Sequence, residues 1–197
     1  MTLEFWFEFA STYSYLSVMR IASVAEAAGV EVRWQPFLLG PIFGAQGWND
    51  SPFNIYPAKG AYMWRDMERR AEVYGLPLRR PSQFPRNGLL AARVAQIATA
   101  DGWCGDFTRQ VFTANFAEDR EIADESVVRS ILTDLGRDPD AILAQATSPE
   151  NKQALKTVNE EAVRRGVFGA PTFFAADELF WGDDRLEEAC AWLRKRA

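Results

Sequence analysis

Leu3-Glu4-Phe5-Trp6-Phe7-Glu8-Phe9-Ala10-Ser11-Thr12-Tyr13-Ser14-Tyr15-Leu16 decides how the rest of the chain is read. Apolar Leu3, Phe5, Phe7 and Phe9 alternate with Glu4, Trp6 and Glu8, which is the period of a strand. Beyond Ser11 the pattern changes to a helical one (Tyr15, Leu16, Met19, Ile21, Ala22, Val24, Ala25, Ala28) that stops at Gly29. A serine hydroxyl accepting a free N–H opens such a helix, and a glycine that turns left-handed closes it. Val30–Phe37 returns to strand character. Residues 1–38 therefore predict a β-α-β unit with parallel strands and a right-handed crossover.

From Leu39 to about Pro57 the chain is rich in Gly and Pro and is expected to be a long irregular connection, of the kind that binds ligands. Helical patterns follow at about 58–74, 88–100, 105–115, 124–135, 138–145 and 149–165. Strand character reappears at Thr172–Ala176 and Glu178–Phe180, and a last helix is expected over about Asp184–Lys195. The order is that of an α/β, thioredoxin-like fold with a helical domain inserted between its β-α-β and β-β-α halves. Residues 1–38 plus 166–197 form the thioredoxin-like domain, and 39–165 the insert.

Composition excludes several classes of chemistry. The 197 residues hold no histidine, so there is no Ser-His-Asp triad, no histidine-ligated metal and no imidazole acid–base catalyst. Cys104 and Cys190 stand far apart, outside any Cys-x-x-Cys pair, which excludes a zinc knuckle or dithiol motif and suits a reducing, cytoplasmic setting. With 22 basic against 27 acidic side chains the net charge is −5, with no basic surplus to grip nucleic acid. The N-terminal stretch does not read as a signal peptide, and no apolar run approaches the roughly 20 residues of a membrane span.

Three stretches could carry chemistry. Ser11 lies where a strand gives way to a helix N-terminus, whose unpaired N–H groups and positive dipole end favour an anion. Ser11-Thr12-Tyr13-Ser14 occupies the place of a redox Cys-x-x-Cys. The Ser11 hydroxyl can donate a hydrogen bond to an external thiolate, or it can serve only as a helix cap. Gly166-Val167-Phe168-Gly169-Ala170-Pro171 precedes a strand, where a cis Pro171 would turn the Ala170 backbone outward beside Ser11, ready to pair with a bound peptide. Trp181-Gly182-Asp183-Asp184-Arg185-Leu186-Glu187 has capping-box spacing between Asp184 and Glu187. It also leaves acids and amides to hold the two charges of a γ-glutamyl group.

On these motifs the chain resembles the 2-hydroxychromene-2-carboxylate isomerases and, more distantly, the kappa-class glutathione transferases, within the DsbA-like branch of thioredoxin folds. The resemblance runs nearly end to end. It includes Phe9–Leu16, Gly29, the Tyr62…Asp66…Arg69 helix, Tyr74-Gly-x-Pro77, residues 166–171 and Trp181–Asp184. It implies glutathione as cofactor, Ser11 as the catalytic serine holding its thiolate, and Ala170, Pro171 and Trp181, Gly182, Asp183 and Asp184 as its binding residues. It also implies a homodimer acting on an aromatic small molecule in aromatic catabolism: thiolate addition opens the cyclic hemiketal, a bond rotates, and elimination releases the trans enone. Family isomerases carry a lysine after the second strand, whereas Pro41-Ile42-Phe43-Gly44-Ala45 has none. Asn54 falls in a matching polar position for substrate, and Phe84 stands where a family tyrosine can sit. Lys59 and Arg86 are nearby cations that could replace the missing charge or stand on the solvated surface, the better expectation; Arg79 and Arg80 are expected to face solvent. Trp48, Phe53, Tyr62 and Trp64 are candidate pocket linings.

Two other functions fit the same residues. A kappa-like transferase would consume glutathione, so free thiol would fall with turnover. A non-catalytic thioredoxin-fold protein would use Ala170 to hold extended peptides, and Ser11→Ala would then cost only about 1 kcal/mol of capping.

Overall fold

The computed structural model describes residues 1–196; Ala197, the last residue expected in the thioredoxin-like domain, lies outside them. Strand β1 (Thr2–Phe7) runs parallel to β2 (Glu31–Pro36) and antiparallel to β3 (Thr172–Ala175), which pairs antiparallel with β4 (Glu178–Trp181). The sheet order is β2-β1-β3-β4, so the two ends of the sequence meet at its centre. Helix α1 (Thr12–Ala28) joins β1 to β2, with Ser11 at its N-cap and Gly29 closing it at φ 65°. That left-handed turn lets the Gly29 N–H reach the Ala25 and Glu26 carbonyls.

The alternation in β1 is real, but both of its faces are covered. Phe5 stacks on Phe173, and Phe7 meets Trp34 edge-on, in the main core. Trp6, on the opposite face, is buried with Phe37 and Phe174 in a second cluster. Each such ring removed from water contributes roughly 1.5–3 kcal/mol, and a central strand wrapped on both sides tolerates little replacement.

Between β2 and β3 lie α4 (Pro57–Tyr74), α5 (Leu89–Ala100), α6 (Cys104–Phe116), α7 (Glu125–Asp134), α8 (Pro139–Ala146) and α9 (Pro149–Arg164). They follow the expected periods to within a residue or two. Helix α6 packs on α1, and α5 lies against β2, so Phe107, Phe112 and Phe116 share one core with Phe9 and Tyr15. Among the described residues no helix is long and apolar enough to cross a membrane.

Two local expectations are corrected. Residues 39–57 are not an irregular loop: they form α2 (Leu39–Ala45) and α3 (Pro52–Ile55). Pro52 stands in a first helical turn, where a missing N–H costs nothing, and the Ser51 hydroxyl caps that turn by accepting from the Phe53 N–H. The Asp184–Glu187 capping box does not form. Asp183–Arg185 winds as a 3-10 turn before α10 (Leu186–Lys195), which places Asp184 inside a turn, and neither element has a side-chain cap.

Candidate active site

Ser11 joins the two halves of the fold. Its backbone is extended, its Oγ accepts from the Ser14 N–H at 3.1 Å, and its O–H donates to the Ala170 carbonyl at 2.9 Å. The Ala170–Pro171 bond is cis, as expected, and the Pro171 carbonyl accepts from the Gly182 N–H at 3.0 Å. The three stretches singled out in the sequence thus meet through main-chain and hydroxyl hydrogen bonds. The capping role of Ser11 is real, and the same hydroxyl also faces the cis-proline loop.

Glycines set the spacing of this junction. A Cβ on Gly169 would lie 2.3 Å from the Trp181 Nε1, so only glycine lets the indole pack on the cis-proline loop. Phe168 completes that contact, with ring centroids 5.0 Å apart. Gly182, at φ 109°, brings Asp184 close enough that a Cβ would meet its carboxylate at 2.6 Å.

A cavity of about 1100 Å³ opens over Ser11. Ala170, Trp181, Gly182, Asp183, Asp184 and Phe84 line it together with Ser11; Pro171 and Asn54 do not. The Asn54 amide is held by two lining residues, donating to both Asp50 carboxylate oxygens and to the Phe84 carbonyl at 3.1 Å. Phe84 meets Trp64 edge-on behind the wall, while Trp48, Phe53 and Tyr62 face the cavity. Lys59 lies at the rim, its ammonium over the Phe53 ring.

The cations of the site are mostly engaged. Arg86, expected on the surface, is buried: its guanidinium pairs with Asp119 at 2.5 Å and Glu121 at 3.4 Å and donates to Asn115. Two carboxylates on the far side of the loop repay its desolvation, which the local sequence did not reveal. Arg79 and Arg80 are exposed as expected. Asp183 is buried against Arg70 at 2.5 Å, with Arg20 at 4.0 Å. Burial raises its carboxyl to about 6, and the two guanidiniums hold it from going higher.

Two features escaped sequence reading. The Tyr13 hydroxyl donates to Asp66 at 3.0 Å, tying α1 to α4 across the cavity floor; burial, then the Asp66 charge, raises the phenol. Glu8 is buried beside the Ser11 turn and lines the cavity, with burial raising its carboxyl to about 8. Strand alternation groups Glu8 with the part-exposed Glu4, but the strand ends at Phe7, and beyond that point the period no longer says which side is covered.

The description DSBA-like thioredoxin domain matches residues 2–191 of this chain. A 2-hydroxychromene-2-carboxylate isomerase of Sphingobium xenophagum is 30% identical, the match covering 94% of each chain. Glutathione S-transferase kappa 2 of Caenorhabditis elegans is 25% identical, covering 97% of this chain and 91% of its own. A solved structure of a 2-hydroxychromene-2-carboxylate isomerase superposes with a TM-score of 0.89 at 28% identity, covering 100% of this chain and 97% of its own. The resemblance drawn from the motifs and the expected fold class are both borne out.

Proposed function

Because this chain belongs to the DsbA-like thioredoxin family, beside its 2-hydroxychromene-2-carboxylate isomerases, we propose that it is a glutathione-dependent isomerase. It would convert 2-hydroxychromene-2-carboxylate-type hemiketals into trans-o-hydroxybenzylidenepyruvate-type enones. The observation that carries this reading is the Ser11 hydroxyl, at the N-terminus of a 17-residue helix and beside the cis-proline loop, facing the cavity.

The residues present suit a γ-glutamyl tripeptide. Among the described residues the Ala170 N–H makes no hydrogen bond, leaving the edge beside Pro171 open to pair with a peptide backbone. Asp184 is exposed and takes the ammonium; Asp183, held by Arg70, supports the turn from below. The half-exposed Trp181 ring covers the tripeptide stem. Bound there, glutathione supplies a sulfur nucleophile that adds reversibly to a conjugated substrate. This chain has no equivalent group, since its two thiols are buried away from the cavity.

Ser11 turns its O–H from the Ala170 carbonyl toward the sulfur, and the helix N-terminus adds its positive end. Lowering a thiol from about 8.5 to about 6.5 takes about 2.7 kcal/mol, within reach of one charge-assisted hydrogen bond and a helix dipole together. Phe84, Phe53 and Trp48 provide an apolar wall for the aromatic ring. The buried, reduced cysteines accord with a cytoplasmic setting.

Ultraviolet titration of the glutathione complex tests the reading. The bound sulfur should ionise near pH 6.5 in wild type and well above that in Ser11→Ala, where the helix dipole alone remains, and activity at pH 7 should fall with the thiolate fraction, by about 25-fold at most. A bound sulfur that ionises no more readily than in buffer would overturn it. The likeness to a kappa-class transferase favours a second reading, in which free thiol falls with each turnover.

A further inference from the structure

The proposed function leaves one carboxyl of the cavity unused. Glu8 is buried at the same turn as Ser11 and lines the same wall. Its Oε2 accepts the Ala10 N–H at 2.9 Å, and its Oε1 has no hydrogen-bond partner among the described residues. Gly88, at the N-cap of α5, makes room for it. A Cβ there would lie 3.4 Å from Glu8 Oε1 and 2.9 Å from the Phe9 Cβ.

The charged groups facing this wall are committed elsewhere. Arg86, two residues before Gly88, is held by Asp119 and Glu121. On α4, Arg70 is held by Asp183, and Asp66 accepts from Tyr13; Lys59 and Tyr62 stand toward the solvent end. Across the cavity, Asp184 and Arg185 pair with each other at 3.6 Å, and on the rim Asp50 accepts from Asn54. No charge draws on Glu8; only the Ala10 and Ser11 N–H groups oppose its desolvation. It is a neutral acid at neutral pH, able both to give a proton and to take it back.

We propose that Glu8 is the proton donor and acceptor of the isomerisation, working beside Ser11 on the ketone oxygen of the substrate's C=C–C=O unit; this rests on the isomerase reading above. The hemiketal first opens, its O–H proton passing to the departing phenol oxygen, and this forms the C=C–C=O unit. When a nucleophile adds at the far carbon, the C=C pair shifts to the neighbouring bond and the C=O pair ends on the ketone oxygen. The Glu8 O–H breaks as that oxygen takes its proton, leaving an enol and the Glu8 carboxylate. The former double bond is then single and turns. The carboxylate recovers the proton, the C=C pair re-forms and the nucleophile leaves. Nothing is oxidised or reduced, and Glu8 ends as it began.

Glu8→Gln, isosteric and able to keep the Ala10 bond, is the first test, with Glu8→Asp as the second. At saturating glutathione and 2-hydroxychromene-2-carboxylate, kcat should fall about 100-fold in Glu8→Gln and recover in part in Glu8→Asp. Glutathione affinity, measured by calorimetry, should be unchanged in both. Wild-type kcat should decline as pH rises through about 8, and Glu8→Gln should lack that limb. Infrared spectra of the protein alone should show a protonated-carboxyl band at neutral pH that disappears over the same range and is missing from Glu8→Gln. Unchanged kcat and an unchanged pH limb in Glu8→Gln, with glutathione bound, overturn the role of Glu8 alone. A band already gone in mild acid does the same. A wild-type protein that binds no glutathione overturns the isomerase reading and this proposal with it.

Discussion

Glu8 and Asp183 are both buried acids in the wall of one cavity, one following β1 and the other following β4, yet their surroundings treat them differently. Glu8 has only two backbone N–H groups to set against its desolvation, and it rises from 4.5 to about 8. Asp183 has Arg70 and Arg20 as well, and it rises only from 3.8 to about 6. Burial sets the direction in both, and the presence of cations decides the outcome. With its guanidiniums, Asp183 is a structural ion that ties the 3-10 turn to α4 and α1. Without any, Glu8 is a proton carrier.

The largest test of this contrast is stability against pH. Below pH 4.5 Glu8 is protonated in both folded and unfolded chains, so it adds no slope. Between 4.5 and about 8 the unfolded chain has released the proton and the folded one still holds it, so stability falls as pH rises; above about 8 the slope ends. At about 1.4 kcal/mol for each pH unit, the loss reaches a few kcal/mol. Urea unfolding between pH 6 and 8, above the range in which Asp183 adds a slope of the same sign, should show this decline in wild type and not in Glu8→Gln. Equal slopes in the two would mean that Glu8 is not the neutral acid described.

Asp183→Asn should act in the opposite sense, through a cation left without its partner. Arg70 is partly exposed, so the loss should be about 2 kcal/mol, below the cost of breaking a fully buried pair. Adding Arg70→Met should restore much of it. If the single change were neutral in chemical denaturation, Asp183 would be no more committed than Glu8.

The smallest effect is expected at a rim position remote from both acids. Asn54→Ala removes an exposed clamp on the Phe84 carbonyl and should cost at most about 1 kcal/mol. KM for the aromatic substrate should hardly move, because Asn54 does not itself line the cavity. A large rise in KM would return Asn54 to the substrate.

Legibility followed the range of each interaction. The turn at Ser11, the left-handed stop at Gly29 and the cis bond before Pro171 were readable because each depends on a few neighbouring residues. Arg86 was misjudged because its carboxylates, Asp119 and Glu121, lie more than 30 residues away. The expected loop over 39–57 failed for a different reason: proline opposes a helix in its interior but not in its first turn, and α3 is scarcely more than one turn. Asn54 had a fitting position in the chain, but its hydrogen bonds to Asp50 and to the Phe84 carbonyl depend on how the chain folds.

By itself the sequence determined the β-α-β opening, the closing β-β-α unit, and a serine where a redox fold would carry cysteine. These follow from period, caps and composition, which act over one or two turns of chain. Only the tertiary structure decided which acids lose their water and which of them meet a guanidinium. Desolvation and charge pairing depend on what is brought close through space, and strands β1 and β3, 166 positions apart at their facing residues Trp6 and Thr172, are neighbours only once the chain has folded.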